Sequence, residues 1–103
     1  MNKNEKIVLL AEIHILPGFE QEVLNAAKKQ LAGTRKEKGN EVFILTTEKE
    51  NESVIRFFEI FSNTAAFELH KNEPHTKAFG EVLEGKVKDN SIKLTFLQQH
   101  EDL

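Results

Sequence analysis

The first apolar run of the chain limits its fold more than any other feature. Residues 7–16 read IVLLAEIHIL, with polar side chains only at Glu12 and His14. One set of alternate positions is wholly apolar: Ile7, Leu9, Ala11, Ile13 and Ile15. Because successive side chains of a strand point to opposite faces of a sheet, this run predicts a strand with both faces largely buried. A sheet built around it needs a cover on each side.

A helix and a hairpin are predicted after this strand. A Pro-Gly pair stops the strand, and from Phe19 apolar residues recur at helical spacing until Gly39, a residue suited to a C-terminal cap. Residues 42–47 and 54–61 are two β-prone runs separated by the polar segment EKENES. They predict two antiparallel strands joined by a loop.

The last part of the chain predicts a broken helix and a final strand. Ser62 is expected to cap a short helix that continues through Leu69. Pro74 ends this helix, since proline disfavours helical geometry at the preceding residue, and is suited to the first position of a new one. The new helix is predicted to reach about Gly85, and residues 92–97 form the last strand.

The predicted order is therefore β-α-β-β-α-β, with the second helical element broken at Pro74. This order matches the ferredoxin-like arrangement, an α+β fold with an antiparallel sheet and helices on one face. We expect residues 1–103 to form a single domain. Since the helices cover only one face of a sheet that is apolar on both, we predict a homodimer in which a second copy covers the other face.

Composition excludes several classes of function. The formal charge is -3 at a sequence pI of about 5.8, and Lys and Glu are interspersed without a basic stripe, so nucleic acid is not an expected partner. The chain has no Cys, which excludes disulfides, thiolate metal sites and cysteine nucleophiles. No segment approaches the roughly 18 to 20 apolar residues that a membrane span needs. We expect a cytoplasmic protein without a membrane partner.

Glu59 is the most unusual polar residue of the predicted strands. It shares a strand face with Ile55, Phe57 and Phe61. A carboxyl group so placed is expected to be desolvated and to have a raised pKa, which makes it a candidate for proton transfer. The alternative is a glutamate on an edge strand that pairs with a lysine or arginine.

Two histidines flank the helix break and are the other candidates. His75 lies near the start of the restarted helix, where the helix dipole favours a neutral imidazole that can accept a proton or bind a ligand oxygen. The alternative is a histidine that only hydrogen-bonds the backbone of the turn. His70 lies at the end of the short helix, where capping of that helix is the alternative role.

The same segment is a weak match to a metal site. His70 and His75 are five positions apart across a helix break, unlike the i, i+4 pair of a helical zinc motif, and Glu73 lies between them. We therefore predict no metal. The chain also has no Gly-rich phosphate loop, nucleophile elbow, or nicotinamide or flavin fingerprint. An enzyme with this sequence is expected to work without a bound cofactor.

Three segments resemble one known family along nearly the whole chain. They are AEIHILPGFEQEVLNAAKK, FFEIFSNTAAFELHKNEPHTKAF and IKLTFLQ. They resemble the antibiotic biosynthesis monooxygenase (ABM) domain family, especially its small bacterial members assigned as quinol monooxygenases. The family has a Pro-Gly pair after its first strand, an E-x-W signature and an A-H-x-x-x-P-H segment. The matching positions here are Pro17-Gly18, Glu59 with Phe61, and His70, Pro74, His75, Ala78 and Phe79.

The resemblance implies a dimeric α+β barrel with a small-molecule pocket between sheet and helices in each subunit. It implies oxidation of a quinol-like or hydroxylated aromatic substrate by molecular oxygen without metal or flavin. Glu59 and His75 are then the candidates for proton transfer, with His70 as orienting group or second base. The expected substrate contacts are Phe57, Phe61, Phe79 and His14.

This sequence departs from the family pattern at two positions, and the family contains other activities. Phe61 replaces the usual tryptophan, and Glu73 replaces the serine-like residue that often precedes the proline. Haem-degrading members have their histidine near the position of Gly80, so haem is not expected. One alternative is an isomerase of a small hydroxy-carbonyl or sugar-phosphate signal, with Lys71 or Lys77 at the phosphate. Another is a non-catalytic dimeric module that binds a small ligand.

Overall fold

The computed structural model describes residues 5–101 and has the predicted order of elements. The elements are β1 (Ile7–His14), α1 (Glu20–Arg35), β2 (Asn40–Glu48), β3 (Asn51–Phe61), α2 (Thr64–Asn72), α3 (Pro74–Leu83) and β4 (Lys93–Leu97), with a 3₁₀ turn at Lys88–Asn90. The four strands form one antiparallel sheet in the order β2-β3-β1-β4. The α+β ferredoxin-like fold is thus confirmed.

The first helix begins after a tight turn and ends earlier than predicted. Gly18 has a φ of +94°, a conformation that other residues rarely adopt, and its N–H donates to Oε1 of Glu20 at 3.0 Å. At the other end α1 stops at Arg35, not at Gly39. The N–H groups of the next residues, Lys36 and Glu37, donate to carbonyls three residues back, so the chain leaves the helix through a tightened turn that carries Glu37.

The cap of α2 is one residue later than predicted. Asn63, not Ser62, is the N-cap, because its Oδ1 accepts a hydrogen bond from the N–H of Ala66 at 2.9 Å. The Ser62 hydroxyl instead donates to the carbonyl of Gly39 at 3.1 Å. Pro74 is the first residue of α3, as predicted, and separates the two helices.

The helices pack on one face of the sheet and bury two apolar clusters there. The larger cluster is centred on Ile13, Val23, Ile55 and Phe57, and the smaller consists of Ile7, Leu9, Phe61 and Phe67 with Ala66 beside it. The alternate positions of β1 predicted to share a face are all buried. Glu59 lies on this face between Phe43 of β2 and Leu9 of β1, where the two clusters meet.

No helix formed by residues 5–101 packs over the opposite face of the sheet, which we call the open face. Its cross-strand rows contain Ile44, Phe58 and Leu10 in one and Leu97 beside Val8 in the next. Ile44 is 45% exposed and Leu97 is 42% exposed, whereas Phe58 and Leu10 are half-buried.

Within the described chain, no helix has both the length and the apolar character that crossing a membrane requires.

Candidate functional site

The helix-covered side of the sheet contains a cluster of one carboxylate and two imidazoles. Nδ1 of His70 lies 2.9 Å from Oε2 and 3.1 Å from Oε1 of Glu37. Nε2 of His75 lies 2.6 Å from the same Oε2. Glu37 therefore bridges the two histidines, and each imidazole donates one N–H to it. We call these three residues the Glu37 triad.

Each member of the triad comes from a different local structure. Glu37 is held by the turn after α1, His70 by the last turn of α2, and His75 by the first turn of α3. The break at Pro74 turns the chain between the two histidines, so that both reach one carboxylate. Side-chain exposure is 8% for His70, 11% for Glu37 and 25% for His75, so the triad is open to solvent mainly at His75.

Aromatic rings surround His70. Its ring centroid lies 4.8 Å from that of Phe61, 6.0 Å from that of Phe43 and 6.5 Å from that of Phe67. With Nδ1 bonded to Glu37, Nε2 is left as the second ring nitrogen, and no group within residues 5–101 hydrogen-bonds to it. A neutral imidazole held this way presents a lone pair on Nε2.

Glu59 lies in the same interior but has no fixed partner. It is 5% exposed, and it forms no hydrogen bond or ion pair with any residue of the described part of the chain. Burial, and to a smaller extent the negative charge of Glu37, raises the pKa of the Glu59 carboxyl to about 8. Near neutral pH this carboxyl can therefore both hold and release a proton.

Gly33 makes room for His75. A Cβ atom at Gly33 would lie 2.7 Å from Cγ and 2.9 Å from Cδ2 of His75, closer than van der Waals contact allows. The imidazole thus packs directly on the backbone of α1, which fixes its plane while Glu37 fixes its Nε2.

Buried polar groups continue along α1 from the triad. Nε2 of Gln30 donates to the hydroxyl of Thr76 at 3.1 Å, which joins α1 to the residue after His75. Oε1 of Gln30 and Oγ1 of Thr34 are buried without a hydrogen-bond partner in the described chain. The interface between α1 and α3 is therefore partly polar.

Comparison with known proteins places this architecture in a family. The family model of the antibiotic biosynthesis monooxygenases matches residues 6–82. The chain belongs to the ABM family. No curated protein is significantly similar to it.

Solved structures show the same ABM fold. A protein from Pseudomonas aeruginosa, PA3566, is 21% identical with a TM-score of 0.87, over 98% of this chain and 100% of its own. A candidate antibiotic biosynthesis monooxygenase from Bacteroides thetaiotaomicron is 25% identical with a TM-score of 0.86, over 97% and 94%. Another from Nitrosomonas europaea is 12% identical with a TM-score of 0.87, over 92% and 99%.

The structure of this ABM domain brings together most of the residues that its sequence singles out. Glu59, His70 and His75 lie on the helix-covered side, and Phe61 packs on His70. Phe57 lies deeper, stacked on Phe43 with ring centroids 4.8 Å apart and 5.9 Å from Phe79. The three alternatives for the polar residues are wrong. Glu59 does not lie on an edge strand, because β3 is an interior strand. His70 and His75 both bond to Glu37, so neither only caps a helix or hydrogen-bonds the backbone.

His14 is not part of this group. It lies on the open face, where its Nε2 is 2.7 Å from Oε2 of Glu12. Glu12 also accepts from Nε of Arg56 at 2.9 Å, and Arg56 pairs with Glu48 through Nη1 at 2.8 Å. The sheet separates this second cluster from the Glu37 triad, so the expected contact between His14 and a substrate bound at Glu59 does not follow from the fold.

Two hollows open elsewhere on the surface. One of about 590 Å³ lies beside β4 and the segment after it, and one of about 540 Å³ lies between α3 and the 3₁₀ turn. Glu59 and the triad line neither of them. The cross-strand neighbours of Glu59 on the covered face are Leu9 and Phe43.

Glu37 is the main residue of the site that sequence reasoning missed. It stands in the charged run RKEKG, a pattern typical of a solvated surface. It is separated from His70 by 33 positions and from His75 by 38. The only signal is the prediction that the helices cover one face of the sheet, and it does not single out one residue of the run.

Proposed function

We propose that this ABM protein is a cofactor-independent monooxygenase that oxidises a small quinol-like or hydroxylated aromatic substrate with molecular oxygen. One observation carries the proposal: Glu59 is a buried carboxyl with no ion partner and a pKa of about 8, on the same side of the sheet as the Glu37 triad. Such a group is suited to proton transfer near neutral pH.

The reaction balances without an external reductant. Removal of a phenolic proton gives an electron-rich anion that transfers electrons to oxygen, and a new C–O bond forms on the ring. The O–O bond then breaks, one oxygen atom stays in the hydroxyquinone product, and the other leaves as water. A quinol supplies all four electrons that oxygen accepts, and the ring C–H and both hydroxyl groups supply the protons. The protein therefore needs to bind the ring and move protons.

Under this proposal the residues of the site divide the work. Glu59 and His75 transfer protons, His70 is the second base, and Glu37 orients both imidazoles. The rings of Phe61 and its aromatic neighbours supply the apolar wall for a substrate ring.

The isomerase alternative has less support. Nζ of Lys71 lies 3.0 Å from Oε2 of Glu68 and 5.1 Å from the centre of the Phe67 ring, on the outer side of α2. Lys77 lines the hollow between α3 and the 3₁₀ turn, which does not include the triad. Neither lysine is placed to meet a phosphate at Glu59. A non-catalytic ligand-binding role would be supported if ligand binding survived simultaneous alanine substitution of Glu59, His70 and His75.

A homodimer through the open face belongs to the same proposal. The exposed Ile44 and Leu97 and the half-buried Phe58 form an apolar surface on a face that no described helix covers. Light scattering coupled to gel filtration is expected to give twice the mass of the chain. Ile44→Asp should shift the mass toward that of a monomer, whereas Leu69→Asp, at a 67% exposed position on α2, should not. A wild-type monomer would contradict the dimer.

The activity is tested by oxygen uptake. Protein freed of metal by chelation, and shown to be flavin-free by its absorption spectrum, is mixed with a naphthoquinol in air-saturated buffer. We expect oxygen consumption and hydroxyquinone formation above the spontaneous rate, with strong losses in Glu59→Gln and His75→Ala. His100→Ala, an exposed histidine, is the matched control. Equal rates for wild type and His75→Ala would count against the proposal, and product formation without oxygen would favour the isomerase.

A further inference from the structure

The Glu37 triad has the composition and spacing of a metal site. Its three potential ligand atoms, one carboxylate oxygen and one nitrogen from each histidine, all lie within 4.8 Å of one another. Two of the three separations are already 2.9 Å and 2.6 Å. Three protein ligands drawn from His and carboxylate are a common set in zinc sites that keep one open position.

We propose that Glu37, His70 and His75 bind one divalent transition-metal ion of the zinc type. This inference goes beyond the proposed oxidation and does not require it. It also differs from the sequence-based expectation of no metal, which considered Glu73 as the third ligand. The fold brings in Glu37 from the far end of α1 instead.

A tetrahedral ion would require shifts of the three ligand atoms of about 1.5 Å or less. Ligand atoms about 2.0 to 2.1 Å from a tetrahedral ion lie about 3.3 Å from one another. The carboxylate oxygen of Glu37 would therefore move away from each imidazole nitrogen by less than about 1 Å, and the two nitrogens, which lie within 4.8 Å of each other, would approach by up to about 1.5 Å. The ion would take the place of the two N–H protons that point at the carboxylate. On binding, each neutral imidazole would change tautomer and carry its proton on the other ring nitrogen, Nε2 of His70 and Nδ1 of His75.

The charge of the interior favours a cation at this position. Glu37 and Glu59 are two acidic groups on the helix-covered side, and within residues 5–101 no Lys or Arg lies within 4 Å of either carboxyl. Lys36 and Lys38 flank Glu37 in sequence but form no ion pair with it, and Arg35 donates through Nε and Nη2 to the carbonyl of Phe43. Buried carboxylates are costly unless they are paired or bind a metal, so a divalent ion would supply the missing positive charge.

The site is accessible from one side. His70 is enclosed by Phe61, Phe43 and Phe67, but the side chain of His75 is 25% exposed. An ion can enter at His75 and retain a water molecule as its fourth ligand, while the aromatic side stays dry. On the proposed function, metal binding would leave the remaining ring nitrogens protonated, so neither imidazole could accept a proton, and the ion would act as an inhibitor rather than a cofactor.

The test measures binding and needs no substrate. Protein without a polyhistidine tag is stripped with chelator and titrated with Zn²⁺ by calorimetry, and with Co²⁺ by visible absorption, which reports tetrahedral nitrogen and oxygen ligands. We expect one ion per chain. Glu37→Gln and His75→Gln are each expected to weaken binding by more than about 100-fold, since even groups behind the ligands commonly contribute 10- to 100-fold.

A matched control comes from the open face. His14→Gln removes an imidazole that also lies 2.7 Å from a glutamate oxygen, and it is expected to leave the affinity and the Co²⁺ spectrum unchanged. Circular dichroism establishes that each variant is folded, and His75, as the most exposed ligand, is the substitution least costly to the fold. Failure of the wild type to bind Zn²⁺, or binding lost in His14→Gln and kept in both triad variants, would overturn the proposal. Failure of the oxygen-uptake assay would not affect this result.

Discussion

Each face of the sheet carries a glutamate whose pKa departs from its ordinary value, and the two pKa values are shifted in opposite directions. On the open face, hydrogen bonds from His14 and Arg56 lower the pKa of Glu12. On the covered face, burial and, to a smaller extent, the negative charge of Glu37 together raise the pKa of Glu59 to about 8. The same residue type is thus an ordinary carboxylate on one side and a group that titrates near neutral pH on the other.

The difference lies in what replaces water around the carboxyl. Glu12 exchanges solvent for the guanidinium of Arg56 and the imidazole of His14, so its charged form is favoured. Glu59 exchanges solvent for Phe43, Leu9 and a second acidic side chain, so its neutral form is favoured. The covered face is therefore the better candidate for a functional site, because the fold keeps Glu59 there although its ionised form is disfavoured.

The largest expected effect is that of Glu59→Gln on stability at alkaline pH. In the unfolded chain the carboxyl ionises near its ordinary pKa of 4.5, whereas in the folded protein it ionises near 8. Between these values the folded state binds more protons, so its stability falls as pH rises, and the loss is complete above pH 8. A shift of this size corresponds to about 5 kcal/mol.

Urea unfolding at a series of pH values measures this effect as the difference between Glu59→Gln and wild type. The free energy of unfolding of Glu59→Gln should rise relative to that of the wild type from pH 4.5 to 8, and the difference should be constant above pH 8. Glu12→Gln should do the opposite: because the pKa of Glu12 is lowered in the folded state, wild type should have the advantage at neutral pH and lose it in acid. A pH-independent difference for Glu59→Gln would remove the contrast between the faces.

The second prediction concerns Glu37→Gln. The substitution removes the negative charge near Glu59, so the pKa of Glu59 should fall below its wild-type value, although burial, the larger cause, remains. It also weakens two hydrogen bonds to buried imidazoles and should destabilise the fold by about 1 to 3 kcal/mol. Carbon-detected NMR titration of the Glu59 carboxyl tests the first part, and urea unfolding tests the second.

Two outcomes for Glu37→Gln would contradict this reading. An unchanged Glu59 titration would mean that Glu37 does not act on Glu59 through its charge. An unchanged stability would mean that the two histidines find other partners. Glu68→Gln is the control, because Glu68 pairs with Lys71 on the exposed side of α2.

The fold was largely predictable because the patterns that determine it are local. The alternation of side chains in residues 7–16 predicts β1 and which of its residues share a face. Pro74 predicts the break between α2 and α3. The errors are also local. The sequence predicts that α1 ends at Gly39, but that glycine instead lies against Ala66, where an added Cβ would clash with the Cβ of the alanine. Ser62 and Asn63 are adjacent capping residues, and only the backbone geometry separates them.

The site was predictable only in part because its chemistry is non-local. Glu59 stood out since a carboxyl among Ile and Phe on one strand face has to be buried, and its raised pKa agrees with that reasoning. His70 and His75 stood out by their position around a proline. Their common partner Glu37 did not, because a glutamate in a lysine-rich run has no sequence signature of burial. His14 was grouped with them by residue type, but β1 points it to the other face.

The third prediction tests how tightly the covered face is packed. In Gly33→Ala the new Cβ would lie 2.7 Å from the His75 ring, so the ring must move away from α1 and from Glu37. Overpacking of this kind should destabilise the protein by about 1 to 2 kcal/mol after the gain in helix propensity. Gly80→Ala is the control, since a Cβ there meets nothing within 4 Å, and α3 should gain about 0.5 to 1 kcal/mol. Thermal unfolding of both variants decides this. Equal gains in stability for the two variants would mean that the His75 ring moves aside without cost.

The smallest expected effect belongs to the open face. Arg56→Gln removes one of the two hydrogen-bond partners of Glu12, so the pKa of Glu12 should rise toward its ordinary value of 4.5 while His14 still holds it down. Because this cluster is accessible to solvent, about 1 M salt should reduce the difference between wild type and variant. The same salt should leave the Glu59 titration nearly unchanged, since burial rather than a distant charge is its main cause. If salt changed the pKa values of Glu12 and Glu59 equally, the two faces would differ in the size of their electrostatic fields and not in their exposure to water.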